Sequence, residues 1–369
     1  MLPSTSRGLS AIALAGVLAA VTGCGSDHAV RGPERPPVPA DLECPPGSMS
    51  GSGSSAQENA MQVWIAGYQT ACEDSRVYYD AIGSGGGRSQ FIDGAVAFAG
   101  SDTALDPEEA ADARPRCADS GAVNIPAYVV PIAVAFHLEG VESLNMSPDT
   151  IARVFAGQIR YWDDPEIAET NPGVPLPHTR ITPVSRSDES GTTENFTAYL
   201  AAAAGGAWPH EPSGQWPVPA VEAAQGNSGV AQALEHGDGA IGYLEASHVG
   251  DLATVRVGVG GEFVAPEPEA AAAVVAVSPE RPGGGEHDHA LDLDYATTEP
   301  GTYPIVLVSY EIVCLRYPDA ADAGRVTAFL HYVLSEEGQR AAAQETGSAP
   351  LPESMLTELR ASLDAVGAA

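Results

Sequence analysis

The sequence predicts an α/β protein built as two domains, on three observations. About 330 residues follow the N-terminal segments, more than one ordinary domain holds. From about Asp41 onward, short strand-like runs alternate with amphipathic helical patterns. Two stretches, Tyr128 to His137 and Ile305 to Leu315, are long apolar runs, the first suited to cross between domains.

Residues 1–23 have the form of an export signal: Arg7 is the only charge, Leu9 to Ala20 is apolar, and small residues lead up to Cys24. The run is too short for a permanent membrane span. Val21-Thr22-Gly23-Cys24 resembles a lipobox, which makes Cys24 the lipidated first residue of an exported chain held at the outer face of the cell membrane. Residues 24–40, rich in proline, read as a flexible tether. Strands are expected at Val77 to Ile82, Ala95 to Ala99, Tyr128 to His137, Ile181 to Val184, Ala240 to Tyr243 and Ile305 to Leu315. Helices are expected at Ala56 to Cys72, Pro148 to Ala156, Asn195 to Ala204, Val230 to Glu235, Ala321 to Leu334 and Glu336 to Thr346. There is no internal repeat, and no later segment is long and apolar enough to cross a membrane.

Setting Cys24 aside leaves Cys44, Cys72, Cys117 and Cys314, an even set that in an exported chain favours disulfides over metal or catalytic thiols. Three pairings are open; Cys72 with Cys117 and Cys44 with Cys314 is the expected one, because each pair ties segments assigned to one domain. No CxxC spacing supports zinc. His287-Asp288-His289 follows a glycine run and reads as a solvated loop, with a surface metal site as the lesser alternative.

The formal net charge is −32, and all seventeen basic residues are arginine. Such a surface repels nucleic acid and anionic lipid, so a basic binding patch is excluded. Capture of an anion must therefore rest on a local cage of N–H and hydroxyl donors, with weak salt dependence.

Ser185 to Phe196 supplies the parts of such a cage. Ser190, Gly191 and Thr192 precede a helical pattern, where free backbone N–H groups and the positive helix end lie. Arg186 adds a planar fork of donors. Asp188 beside an anion is repelled unless the ligand carries a proton to donate, which favours hydrogen phosphate over sulfate. The competing reading is an N-capped surface helix with an ion pair. Two further glycine/serine turns share this grammar: Ser50 to Ser55, ahead of the Ala56 to Cys72 helix, and Gly83 to Arg88, after a strand. Phe98-Ala99-Gly100-Ser101-Asp102 ends a strand with a carboxylate, placed either at the ligand edge of a sheet or as a helix cap for Asp106 to Asp112.

Together these segments resemble the phosphate-binding component of the high-affinity phosphate ABC importer. The resemblance runs from about Gly51 to Leu351 and includes Phe155-Ala156-Gly157-Gln158-Ile159, Tyr161-Trp162-Asp163-Asp164-Pro165, Gly226-Asn227-Ser228-Gly229-Val230 and Gly239-Ala240-Ile241-Gly242-Tyr243. It implies a type II periplasmic-binding-protein-like fold, with two crossover strands as hinge and the ligand in the interdomain cleft. Domain I then comprises residues 41–129 plus 303–369, and domain II residues 130–302. Ser55, Ser84, Asp102, Arg186, Asp188, Ser190, Gly191 and Thr192 match the phosphate-binding positions. On this resemblance Asp102 accepts the phosphate proton, and Asp188 orients Arg186. Glu189 departs from a position that is often glycine, Ser55 stands where threonine is common, and the acidic insert from Glu262 to His289 has no family role. The implied protein is a monomeric, cofactor-free receptor and not an enzyme, working with membrane permease and ATPase subunits. The alternatives are a receptor for another tetrahedral oxyanion, and a secreted serine hydrolase or phosphatase. The hydrolase lacks a Gly-x-Ser-x-Gly elbow at Ser190, and the phosphatase lacks a dense metal-ligand cluster.

Overall fold

The computed structural model describes residues 39–369. The export signal, Cys24 and nearly all of the tether lie outside the described residues.

The chain enters through β1 (Gly47–Gly53), α1 (Glu58–Ala71), β2 (Ser75–Asp80), α2 (Ser84–Ile92), β3 (Phe98–Ser101) and the short α3 (Pro107–Asp112). Both β2 and β3 pair parallel with β1. The segment read as a glycine/serine turn at Ser50 to Ser55 is thus largely a central strand. Its glycines are there for clearance: a Cβ on Gly51 would lie 2.3 Å from the Phe98 ring, and one on Gly53, at φ +140°, would meet the Gly100 carbonyl at 1.9 Å. Likewise α2 begins inside the second glycine run, at Ser84.

β4 (Ala122–Phe136) is fifteen residues long and buried almost throughout. After it come β5 (Ser143–Met146), α4 (Pro148–Phe155), α5 (Pro165–Thr170), β6 (Thr182–Arg186), α6 (Gly191–Ala203), β7 (Glu222–Ala224), α7 (Gly226–His236) and β8 (Ala240–Glu245). β9 (Ala253–Val259), β10 (Glu262–Val264) and α8 (Pro268–Val277) precede β11 (Val306–Cys314), and α9 (Ala320–Val333), α10 (Glu336–Thr346) and α11 (Glu353–Asp364) close the chain. The sheet order is β2-β1-β3-β11-β4-β8-β6-β7, with β9 beside β4 carrying β5 and β10.

β4 joins the two ends of this curled sheet. Ala122 to Pro131 pair antiparallel with β11, and Ile132 to Phe136 pair antiparallel with β8. Burial on both faces explains its apolar run from Ile125 to Phe136, where a half-exposed strand would alternate. Trp64, Tyr68, Phe98, Phe329 and Tyr332 pack at one end, and Phe155, Phe196, Trp216 and Tyr243 at the other. Each large buried ring contributes roughly 2–3 kcal/mol through burial. Among the described residues no helix is long and apolar enough to cross a membrane.

The expected disulfide pairing is wrong. The bridges are Cys44–Cys72 and Cys117–Cys314, with Cα–Cα distances of 5.2 and 5.0 Å. Cys44 leads into β1 and Cys72 ends α1, and a strand–helix–strand turn brings both to the same edge, where Gly47 N–H donates to Asp74 O at 3.0 Å. Cys314 pairs in register with Ala122, so the last residue of β11 lies beside the turn holding Cys117. All four cysteines belong to residues 41–129 and 303–369, so grouping by domain left the pairing undetermined; strand register decided it.

The insert is also more ordered than a solvated loop. Asp288 Oδ1 accepts from Asn124 N at 2.9 Å, and Arg281 Nη2 donates to Leu105 O at 2.7 Å. The side chain of His289 is only 13% exposed, lying between Glu280 Oε1 at 2.7 Å and Ser362 Oγ at 2.8 Å. The strap from residue 278 to 302 therefore packs on β4, α11 and the loop after β3.

Candidate functional site

The C-terminal end of β3, the N-terminal ends of α2, α6 and α7, and the loop after β1 converge on one point. Ser55, Ser84, Asp102, Arg186, Ser190 and Thr192 are all buried there, none more than 3% exposed.

Asp102 stands on one side. Its Oδ1 accepts from Ser54 Oγ at 2.5 Å and Ser309 Oγ at 2.8 Å, while Oδ2 lies 3.4 Å from Ser84 Oγ, which also accepts from Asp102 N at 3.1 Å. Burial raises its carboxyl above the usual range; the hydroxyl donors and the charge of Arg186 oppose that rise. The acidic helix after it is capped by Asp106, with Glu109 completing a capping box, so Asp102 is free of that duty.

Arg186, at the end of β6, forms the other side. Its Nε donates to Asp188 Oδ1 at 2.8 Å and its Nη2 to Asp188 Oδ2, a two-point fork. The remaining donors reach Thr192 Oγ1 at 3.3 Å and Ser55 Oγ at 3.1 Å. Burial would raise the Asp188 carboxyl, but the Arg186 fork and the Gly226 N–H hold it below the usual carboxylate range. Asp188 thus stays ionised and is spent on aiming the guanidinium.

Ser190 answers to both sequence readings. It caps α6, accepting from Thr193 N at 3.1 Å, and the helix starts a turn earlier than the apolar spacing suggests, at Gly191. Gly191 packs so closely that a Cβ there would lie 2.6 Å from both Asp102 Cβ and Ser84 Oγ. Glu189 points across to α2: its carbonyl accepts from Gly85 N at 3.2 Å, and its half-exposed carboxylate lies 3.8 Å from Arg88. Arg88 itself is paired more closely with Glu109, at 2.7 Å.

Four residues of this network were not assigned from sequence. Ser54 and Ser309 are the donors to Asp102, and Ser309, with Glu311, is a polar residue inside the mostly apolar β11, which was the available signal. Asn227 donates to Ser55 Oγ through its backbone N at 3.2 Å and its Nδ2 at 3.1 Å; it sits in the Gly226 to Val230 segment, which carried no residue role. Asn195 bonds Asp102 O, a contact that has no local signature. Among the described residues no group of three or more His, Cys, Asp or Glu side chains is arranged to hold a metal ion.

A curled α/β sheet with a buried cage of hydroxyls, helix N-termini and one guanidinium is the architecture of a solute-binding protein, and the PBP superfamily domain matches residues 41–337. Phosphate-binding protein PstS 2 of Mycobacterium tuberculosis is 39% identical over 323 residues, covering 85% of this chain and 86% of its own. PstS 3 of the same organism is 37% identical over 368 residues, covering 96% and 98%. The chain belongs to the PstS family of phosphate-binding proteins. Its fold matches that of the high affinity periplasmic phosphate-binding protein PfluDING, with a TM-score of 0.69 at 23% identity over 85% of this chain and 93% of the other. The phosphate-binding protein from Stenotrophomonas maltophilia gives 0.65 at 21%, with the same coverage.

Proposed function

We propose that this protein captures inorganic phosphate between two domains and delivers it to the permease and ATPase subunits of an ABC importer, as a monomer lipid-anchored through Cys24. Family membership supports the ligand, and the observation that carries it is the pairing of Asp102 with Arg186 in one buried cage. A guanidinium and helix N-termini favour an oxyanion, while a carboxylate tolerates only one that brings a proton to share. Ser55, Ser84, Ser190, Gly191 and Thr192 supply the remaining contacts, with Asp188 holding Arg186 in place.

The domain division proposed is residues 41–129 with 303–369, and residues 130–302, the strap of the second lying over the first. β4 and the return through Tyr303 to Val306 form the hinge, where Ile132 N–H donates to Ile305 O at 2.7 Å. Ligand contacts to both domains at once would favour closure.

A binding role fits Ser190, whose hydroxyl oxygen accepts from Thr193 N as a helix cap. Calorimetric titration tests the assignment: phosphate binds at micromolar or better affinity and sulfate does not, whereas Asp102→Asn admits sulfate. Tighter binding of sulfate than phosphate by the unaltered protein would overturn it.

A further inference from the structure

We propose that Tyr295 and Asn195 form a latch across the cleft that sets how long the bound anion stays, without either side chain contacting it. The inference rests on the two-domain phosphate-binding reading given above.

Asn195 lies on α6 one turn after the Ser190-Gly191-Thr192 segment and is 2% exposed. Its Nδ2 donates to Asp102 O at 2.8 Å and to Gly191 O at 2.8 Å, tying the end of β3 to the start of α6. Both N–H groups are thereby used, and Oδ1 is left to accept. The Tyr295 hydroxyl donates to that oxygen. This bond selects the orientation of the amide: rotated by half a turn, the Asn195 oxygen would face two carbonyl oxygens and its NH2 the tyrosine.

Tyr295 belongs to the strap. Four residues earlier, Leu291 N–H donates to Tyr310 OH at 3.0 Å, so the strap is pinned to β11 on the same side of the cleft as Asp102. Two partners on one side, Asp102 O and Tyr295 OH, therefore meet one amide on the other, and both bonds must break when the cleft opens. Thr103 Oγ1 donating to Glu194 Oε2 at 3.1 Å lies alongside them. A group that favours the closed state without touching ligand slows release and leaves ligand discrimination unchanged.

The experiment compares the full chain with Tyr295→Phe, which keeps the ring and removes the hydroxyl. Stopped-flow measurement with inorganic phosphate is expected to give release about 10-fold faster, the effect of leaving one buried acceptor unpaired, with sulfate exclusion unchanged. A second variant, Asn195→Ala, is expected to release phosphate faster still, and Tyr295→Phe added to it is expected to have no further effect. Equal release rates for Tyr295→Phe and the unaltered protein, or fully additive effects of the two substitutions, overturn the latch. Small-angle scattering of the ligand-free proteins gives a second readout, with a larger radius of gyration expected for Tyr295→Phe. Should the unaltered protein take up no phosphate, the functional reading fails, and equal radii then overturn the latch independently.

Discussion

Ser309 of β11 donates a 2.8 Å hydrogen bond to Asp102, the residue that follows β3, so a strand far along the chain bears on the charge state of that carboxyl. Burial raises the Asp102 carboxyl, and the Ser54 and Ser309 hydroxyls, by stabilising the ionised form, hold the rise in check. Removing one hydroxyl raises it further, and the proton acceptor is then lost at a higher pH as pH falls. Ser309→Ala is expected to shift the acid limb of phosphate affinity upward in pH relative to the unaltered protein. Calorimetric dissociation constants across pH 4 to 8 check this, and superimposable limbs would remove Asp102 as the titrating group.

Gly191 has no room for a side chain. A Cβ would sit 2.6 Å from Asp102 Cβ and from Ser84 Oγ, which lie after β3 and at the start of α2. Gly191→Ala should therefore weaken phosphate binding about 10- to 100-fold, the scale of an overpacking cost of 1–3 kcal/mol. Alanine is the better helix former, so the ligand-free melting temperature should not fall. A parallel loss of stability would point to misfolding instead of blocked closure.

Glu245 makes the protein lose stability as pH rises. Burial pushes its carboxyl up to about 7 from an ordinary 4.5, against the opposing bonds from Ser247 N at 3.0 Å and Ser247 Oγ at 2.5 Å. His248, 3.7 Å away, is pushed down to about 4 by its own burial and supplies no countercharge at neutral pH. The folded state holds this proton more tightly than the unfolded state does. The stabilisation is therefore complete below about pH 4.5 and lost as pH rises through about 7. Its scale is on the order of 3 kcal/mol. Glu245→Gln should flatten that slope, with the gap from the unaltered protein widening between pH 4.5 and 8 in melting temperature.

The two disulfides close loops of very different length, with sequence separations of 28 and 197 residues. In the chain-entropy account, the longer bridge stabilises by about 5 kcal/mol and the shorter by about 3.5. Replacing Cys117 and Cys314 by serine is expected to lower the melting temperature more than replacing Cys44 and Cys72. Peptide mapping without reduction should recover Cys44 linked to Cys72 and Cys117 linked to Cys314; any other linkage contradicts the fold.

Much of this protein is readable in its residues because the relevant physics is local. Apolar spacing located the helices at Pro148, Ala320 and Glu336 within a residue or so, and β4 announced itself from Tyr128 onward by an unbroken apolar run, though the strand begins six residues earlier, at Ala122. Ser190-Gly191-Thr192 and Arg186 read as an anion cage because helix ends present the same donors wherever they occur. Contacts between distant segments had no such signature. The Gly51 and Gly53 strand looked like a loop, since its reason for glycine is the closeness of Phe98 and Gly100, which only packing creates. The disulfide pairing followed from the register of β11 on β4, and the partners of Asp102 came from residues 48 and 207 positions away. Residue types and spacing determined that this chain carries the donors for an oxyanion, and the family resemblance already set Asp188 on Arg186; tertiary structure decided that Ser54 and Ser309 hold Asp102, because those contacts exist only once the strands have paired.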